Sequence, residues 1–498
     1  MELSFQEKTF DTWKTDCLLV PVIEGCDILR INTELDNLSP WLAVAPAMQD
    51  LATKEGALTL VHGHPKQAIP RVLFIGLGKK EEWSLERFKD AIANGMNHCQ
   101  ERNLTSCALL LSSLALLPSG QDRLVEEAVY AACLSLYESG FLKRKEQSTK
   151  KTCQRLSFCA ETIEDRTKNA AKRGRCAAHA TLLARQLANT PANLLTPLLF
   201  AQTVQERAKA TALRVKILDE EAIKKEGMGA LMAVAQGSHN PPRFIILEHV
   251  PEGTQNEDPL VFIGKGICFD SGGISLKPAA NMHQMKSDMS GACAVFSAML
   301  AIDEEKIQKH IIGILPCAEN MPGGGATRPG DVVIGIGGES IEITNTDAEG
   351  RLLLCDALGY AKKAFSPKYL IDIATLTGAC AVALGDEIAG LFSDCVPLSE
   401  AVLAAGRVAG EPFWQLPLWK SYAKKLESTI ADICHTGPRE GGAINAALFL
   451  AHFAGETQFA HLDIAGVDWC DKGTPLCPKG ATGFGARTLL EIARGGLA

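Results

Sequence analysis

Three short segments gather carboxylates and lysines beside glycines in otherwise apolar surroundings. The first, Val261-Phe-Ile-Gly-Lys265-Gly-Ile-Cys-Phe-Asp270-Ser-Gly-Gly-Ile-Ser-Leu-Lys277-Pro, starts as an apolar run rich in β-branched residues. It leads into Lys265 and Asp270, after which a glycine pair lets the backbone turn back. Charges at the end of a buried strand are costly unless they are paired or bound to a metal. The second segment, Met285-Lys-Ser-Asp288-Met-Ser-Gly-Ala, places Asp288 at the start of an alanine-rich helix, where a carboxylate taken alone serves as an N-cap. The third is Asn345-Thr-Asp347-Ala-Glu349-Gly-Arg351-Leu. Ile341 to Thr346 is expected to be a strand, and Arg351 opens a helical pattern. Asp347 and Glu349 are two residues apart, so on extended backbone both face the same side. Two such carboxylates in a dry site cannot both stay ionised unless a cation lies between them. Several carboxylates without imidazole or thiolate suit paired hard divalent ions. Read in isolation, the same Asp-x-Glu before a helix is N-terminal capping and favourable charge on the helix dipole.

Other chemistries lack support. Gly264-Lys-Gly266 and Gly76-Leu-Gly78 miss the third glycine of a dinucleotide fingerprint, and the chain has no P-loop, nucleophile-elbow or H-E-x-x-H string. The 11 histidines are dispersed. The 17 cysteines form no C-x-x-C pair, so they are expected to be reduced thiols used as small apolar core residues. With 50 lysines and arginines against 58 acidic residues, the formal charge of −8 does not favour nucleic acid or an anionic membrane as a partner. The most apolar run, Cys107 to Pro118, is broken by Ser112 and Ser113 and is too short to span a bilayer. The N-terminus shows no secretory pattern, and a cytoplasmic protein is expected.

The elements that must position these residues alternate regularly. In the first third, Asp16 to Glu24, Arg71 to Ile75, Cys107 to Leu111 and Leu156 to Cys159 read as strands. Trp83 to Glu101 and Asp122 to Tyr137 read as helices. Lys143 to Lys151 is a polar, lysine-rich connection. A long helix from Glu164 to Leu187 carries Lys168, Lys172, Arg173 and Arg175; it is expected to bridge two domains, with a basic binding face as the alternative. Beyond it, Phe244 to Val250, Leu260 to Ile263, Ile311 to Leu315, Lys368 to Ile373 and Ala460 to Ile464 are buried-strand patterns. Helical patterns lie between them at Ser290 to Ile302, Arg351 to Ala364, Ser399 to Val408 and Ala443 to Phe453. The fold class is therefore α/β in two domains: a smaller N-terminal α/β domain over 1–164, and a larger one over 165–498. The larger should hold a mixed, mostly parallel sheet flanked by helices, with ligands at the strand ends.

Together the three segments resemble the signature of the leucyl (cytosol) aminopeptidase family, including its Asn-Thr-Asp-Ala-Glu-Gly-Arg-Leu string, intact at Asn345 to Leu352. Further similarity lies at Asn189-Thr-Pro-Ala-Asn193, Arg328-Pro-Gly-Asp331, Thr375-Leu-Thr-Gly378 and His461-Leu-Asp-Ile-Ala-Gly466, so the resemblance covers about residues 165 to 498. It implies that 165–498 is a catalytic metallopeptidase domain with two divalent ions, zinc or manganese, with magnesium as the alternative. One ion would be held by Asp270, Asp347 and Glu349, the other by Lys265, Asp270, Asp288 and Glu349. Lys265 would then bind as a neutral amine. The resemblance further implies Lys277 and Arg351 as catalytic residues, a bicarbonate ion at Arg351, and a pocket for the first side chain lined by Met285, Thr375 and Gly378. The expected activity is release of an N-terminal leucine or other large apolar residue from peptides by a homohexamer. Two departures from the family pattern are Cys268 for a usual threonine and Ser290 for a common glycine. The ending Gly483-Phe-Gly-Ala also differs from the Gly-Arg-Pro of some members. A regulatory binding protein, or a two-metal hydrolase of phosphoesters or non-peptide amides, are the competing readings.

Overall fold

The computed structural model describes residues 1–7, 13–24, 53–63, 69–143, 153–495 and 497. Nearly all of the lysine-rich connection at 143–151 lies outside the described residues. The chain divides into two compact units, Met1–Ala178 with Lys472–Lys479, and His179–Asp471 with Gly480–Ala498. The division falls inside the helix Asp165–Asn189, whereas the sequence reading puts its boundary at the start of that helix.

In the first unit the expected strands appear as Cys17–Glu24, Arg71–Lys79, Ser106–Leu110 and Arg155–Ala160. They form a parallel core, joined by two edge strands that the sequence reading misses, Glu2–Glu7 and Leu58–His62. Both edges are only half-buried and carry polar residues, which hides a buried-strand pattern. Helices Leu85–Glu101 and Gln121–Ser135 pack on each other. Ser84 caps the first by accepting from the Arg87 amide. On the long helix, Arg173 donates to the fully buried Glu126 at 2.5 Å and Lys168 lies 3.4 Å from Glu7. Part of its basic face is therefore committed to ion pairs within the unit.

The second unit is built on a mixed nine-stranded sheet. Its centre is parallel: Gln458–Asp463, Tyr369–Ala374, Leu260–Gly264 and Ile311–Asn320 lie side by side in that order. Arg243–His249 adds antiparallel on one side and Ala389–Phe392 on the other. Helices Ser290–Glu304 and Gly350–Phe365 pack against the central strands. The strand expected at Ile311 to Leu315 runs on to Asn320, and that extension matters. Leu260–Gly264 pairs with its first half, and Gly266–Asp270 with its second half, so the break falls at Lys265. The register shifts between Ile267 and Phe269, leaving Cys268 as an extra residue in a bulge.

Candidate active site

Lys265 is fixed first by its backbone. Its amide donates to the Ile373 carbonyl at 3.1 Å and its own carbonyl accepts from Ala292 at 2.9 Å. The buried side chain places Nζ 2.9 Å from Asp288 Oδ1 and 2.8 Å from Glu349 Oε1, and donates to the Thr375 carbonyl at 2.8 Å. Gly350 is what lets it pass, because a Cβ there would stand 2.6 Å from Lys265 Cε.

Asp270 ends its strand directly opposite Asn320. Its Oδ1 accepts from the Gly272 amide at 2.9 Å and from Asn320 Nδ2 at 2.8 Å, while Oδ2 lies 2.8 Å from Lys277 Nζ. Gly272 and Gly273 have φ of +88° and +65°, conformations that turn the loop back and bring Lys277 over the cleft. Lys277 Nζ also lies 2.6 Å from Asp347 Oδ1.

Neither acidic helix start is a cap. Helix Ser290–Glu304 begins two residues after Asp288 and has no side-chain cap; Asp288 Oδ1 instead accepts from Lys265 and from Thr375 Oγ1, the latter at 2.7 Å. Glu349 directly precedes helix Gly350–Phe365 and likewise caps nothing. The strand expected over Ile341 to Thr346 ends at Ile343. Asp347 sits in a turn in which its amide donates to Asn345 Oδ1 at 3.0 Å, so a turn, not extended pleat, aligns it with Glu349. One oxygen from each of Asp270, Asp347 and Glu349 falls within 4.8 Å of the others, a spacing that one cation can bridge.

The electrostatics of the cleft fit a divalent ion. Four carboxylates face only two lysine ammonium groups here, and Asp288 Oδ2 is buried without a hydrogen-bond partner among the described residues. Burial raises the pKa of Asp270, with Glu349 adding to it. Burial also raises Asp288 strongly and Asp347 more mildly, with repulsion from Asp270 added in both. Burial opposes the charge on Lys265, but the carboxylates of Asp288, Glu349 and Asp270 outweigh it and push its pKa up. Lys277 follows the same balance, dominated on the raising side by Asp270.

Arg351 is buried; its Nη1 donates to the His435 carbonyl at 2.7 Å, and Nε has no partner among the described residues. Burial lowers its pKa to about 10, against the pull of Glu349 and Asp463, so it stays a cation near neutral pH. His435 Nε2 stands 2.9 Å from the Asn345 carbonyl, and burial lowers its pKa to about 4, with Arg351 adding to the effect. The neutral ring has one N–H to share between the Asn345 carbonyl at Nε2 and the Glu342 carbonyl, 3.1 Å from Nδ1. Of the expected pocket residues, Thr375 joins the cluster through its hydroxyl and carbonyl. Met285 is half-buried in the turn Met282–Ser287 just before Asp288, and Gly378 is exposed at the start of helix Gly378–Leu384. Ser290 Oγ donates to the Ser287 carbonyl at 2.7 Å, so this departure closes the turn that leads into Asp288. Asn320 and His435 escaped the sequence reading. Asn320 sits at the polar end of an apolar strand, just before Gly323-Gly324-Gly325, and that position was its one local signal.

The model of the cytosol aminopeptidase family's catalytic domain matches residues 182–490, and the model of that family's N-terminal domain matches 20–146. The chain belongs to the cytosol aminopeptidase family. It is 53% identical over an alignment of 500 positions that covers 100% of both chains to a "Probable cytosol aminopeptidase" of Desulfovibrio desulfuricans. A "Probable cytosol aminopeptidase" of Nitratidesulfovibrio vulgaris is 43% identical over 504 residues, covering 100% of this chain and 99% of the relative. Among solved structures, "Bottromycin maturation enzyme BotP in complex with Mn" superposes with a TM-score of 0.84 at 32% identity, over 96% of this chain and 99% of the other. Membership makes the chain an aminopeptidase of a metal-dependent family, acting on peptides. No helix among the described residues is long and apolar enough to cross a membrane.

Proposed function

We propose that the chain is a two-metal aminopeptidase that removes an N-terminal leucine, or another large apolar residue, from peptides. The observation that carries this reading is the convergence of Lys265, Asp270, Asp288, Asp347 and Glu349, from distant stretches of sequence, on one buried cleft. Asp270, Asp347 and Glu349 would hold one ion; Lys265, Asp270, Asp288 and Glu349 would hold the other, zinc or manganese first and magnesium next. When bound, the ions would supply a water of lowered pKa and polarise the scissile carbonyl. Lys265 would have to give up its ammonium proton to serve as a ligand, which couples metal affinity to pH. Lys277, kept protonated by Asp270, supplies positive charge for the oxyanion that develops on the carbonyl. Arg351 cannot act as a base at working pH; its Nε, without a partner among the described residues, suits an anion such as bicarbonate, which would take the proton. Met285, Thr375 and Gly378 would line the pocket for the first side chain. A cytoplasmic homohexamer is the working state we assign to it.

The test is release of chromophore from a leucyl anilide by purified protein supplied with zinc or manganese. Asp347→Ala and Glu349→Ala are expected to abolish it. Unchanged turnover in both variants rejects the site assignment.

A further inference from the structure

We infer that Asn320 is a positioning residue of this centre, holding the carboxylates of Asp270 and Glu349 at a fixed separation before any ion arrives. The inference rests on the two-metal reading above, which gives Asn320 no part. Its backbone is fixed on two sides: it ends the strand Ile311–Asn320 in register with Asp270, and its carbonyl accepts from the Ser271 amide at 3.0 Å and from Ser271 Oγ at 2.7 Å. The side chain is buried at 4% exposure, and Nδ2 stands 2.8 Å from Asp270 Oδ1, 3.0 Å from the Thr346 carbonyl and 3.4 Å from Glu349 Oε2. All three partners are acceptors, so only the NH2 end of the amide can face them. Two hydrogens serve three acceptors, with the longest contact, to Glu349, sharing one. The opposite end lies close to the Gly273 backbone, where a Cβ would stand 2.7 Å from Asn320 Oδ1 and only glycine leaves room for it.

The amide thus ties a strand end, the turn carrying Thr346 and a helix start into one frame. Two carboxylates brought together repel. Lys265 and Lys277 offset that repulsion with positive charge, which competes with an incoming cation. Asn320 offsets it with a neutral donor, and has no proton to lose when a cation binds. Groups that orient ligands in this way typically change metal affinity 10–100-fold when they are removed.

The test uses the full-length protein stripped by dialysis against a chelator and titrated with Mn(II), free ion being counted by electron paramagnetic resonance. Asn320→Ala and the similarly sized, donor-free Asn320→Leu are each expected to bind Mn(II) about 10–100-fold more weakly, while the stripped proteins still melt cooperatively, at a lowered temperature because buried acceptors lose their donor. Affinity within twofold of wild type in either folded variant overturns the inference. So does an equal loss of affinity in a variant brought to the same melting temperature by a core substitution away from the cleft. Glu349→Ala is the control: if it binds Mn(II) as tightly as wild type, the two-metal reading itself fails, whereas a loss there with none at Asn320 removes only the positioning role.

Discussion

Replacing Gly350 by alanine sets two effects of opposite sign against each other. Gly350 is the first residue of helix Gly350–Phe365, and alanine in a helix is favoured over glycine by up to about 1 kcal/mol. Without tertiary contacts the variant should therefore be neutral or slightly more stable. The structure opposes this. The new Cβ would lie 2.6 Å from Lys265 Cε, 2.8 Å from Cδ and 2.9 Å from Nζ. A lysine end would ordinarily swing away at little cost, but this one is buried and held by Asp288, Glu349 and the Thr375 carbonyl. Inserting a methyl into such packing costs about 1–3 kcal/mol, and full loss of the pairing would strand two buried carboxylates at about 3–5 kcal/mol. The net expectation is a loss of up to about 2 kcal/mol once the helix term is subtracted. The melting temperature should fall by a few degrees, at about 2–4 °C per kcal/mol for a sizeable domain. Turnover of the leucyl anilide should fall by about 100-fold, the usual effect of a misplacement near 1 Å. Calorimetry and steady-state kinetics read both. A melting temperature at or above wild type, with turnover within twofold, would refute the reasoning.

Asp468 is buried, with Ser287 Oγ donating to its Oδ2 at 2.7 Å; burial pushes its pKa up to about 7. A raised carboxylate pKa means that the folded state holds a proton the unfolded chain has already released, so stability is fullest below about pH 4 and falls as pH rises towards 7. Asp468→Asn keeps an acceptor for Ser287 and removes that loss, so its melting temperature should exceed wild type at pH 8 and match it at pH 4; an equal difference at both pH values contradicts the assignment. His435, lowered to about 4 by burial and by Arg351, should remain neutral throughout the working range. Its ring resonances in histidine-labelled protein should stay unshifted from pH 5.5 to 8.5, and a midpoint between 6 and 7 would disprove it.

The sequence exposed the chemistry of the cleft better than its means of support. The octapeptide at Asn345 to Leu352 and the paired charges at Lys265 and Asp270 were visible because charge beside an apolar run is rare without a purpose. Whether Asp288 and Glu349 cap helices or serve the cleft could not be decided locally. Their partners, Thr375 and Lys265, lie 87 and 84 residues away, and no short-range pattern records them. Asn320 was hidden for a related reason: Pro316 interrupts the β-branched run, so the strand pattern stops at Leu315, although the strand continues for five more residues. The central parallel strands were legible because both faces are covered and their residues are mostly apolar, the buried pair Asp372 and His461 apart.

The bulge at Cys268 governs which changes the segment can accept. Side chains on a regular strand alternate between faces, so Lys265 and Asp270, five positions apart, would point to opposite sides. One surplus residue reverses the parity and lets both reach the same carboxylate cluster. The bulge thus makes the count of residues between lysine and aspartate matter more than the thiol itself, for which the buried position requires only a small side chain: a deletion would turn Asp270 away from its partners.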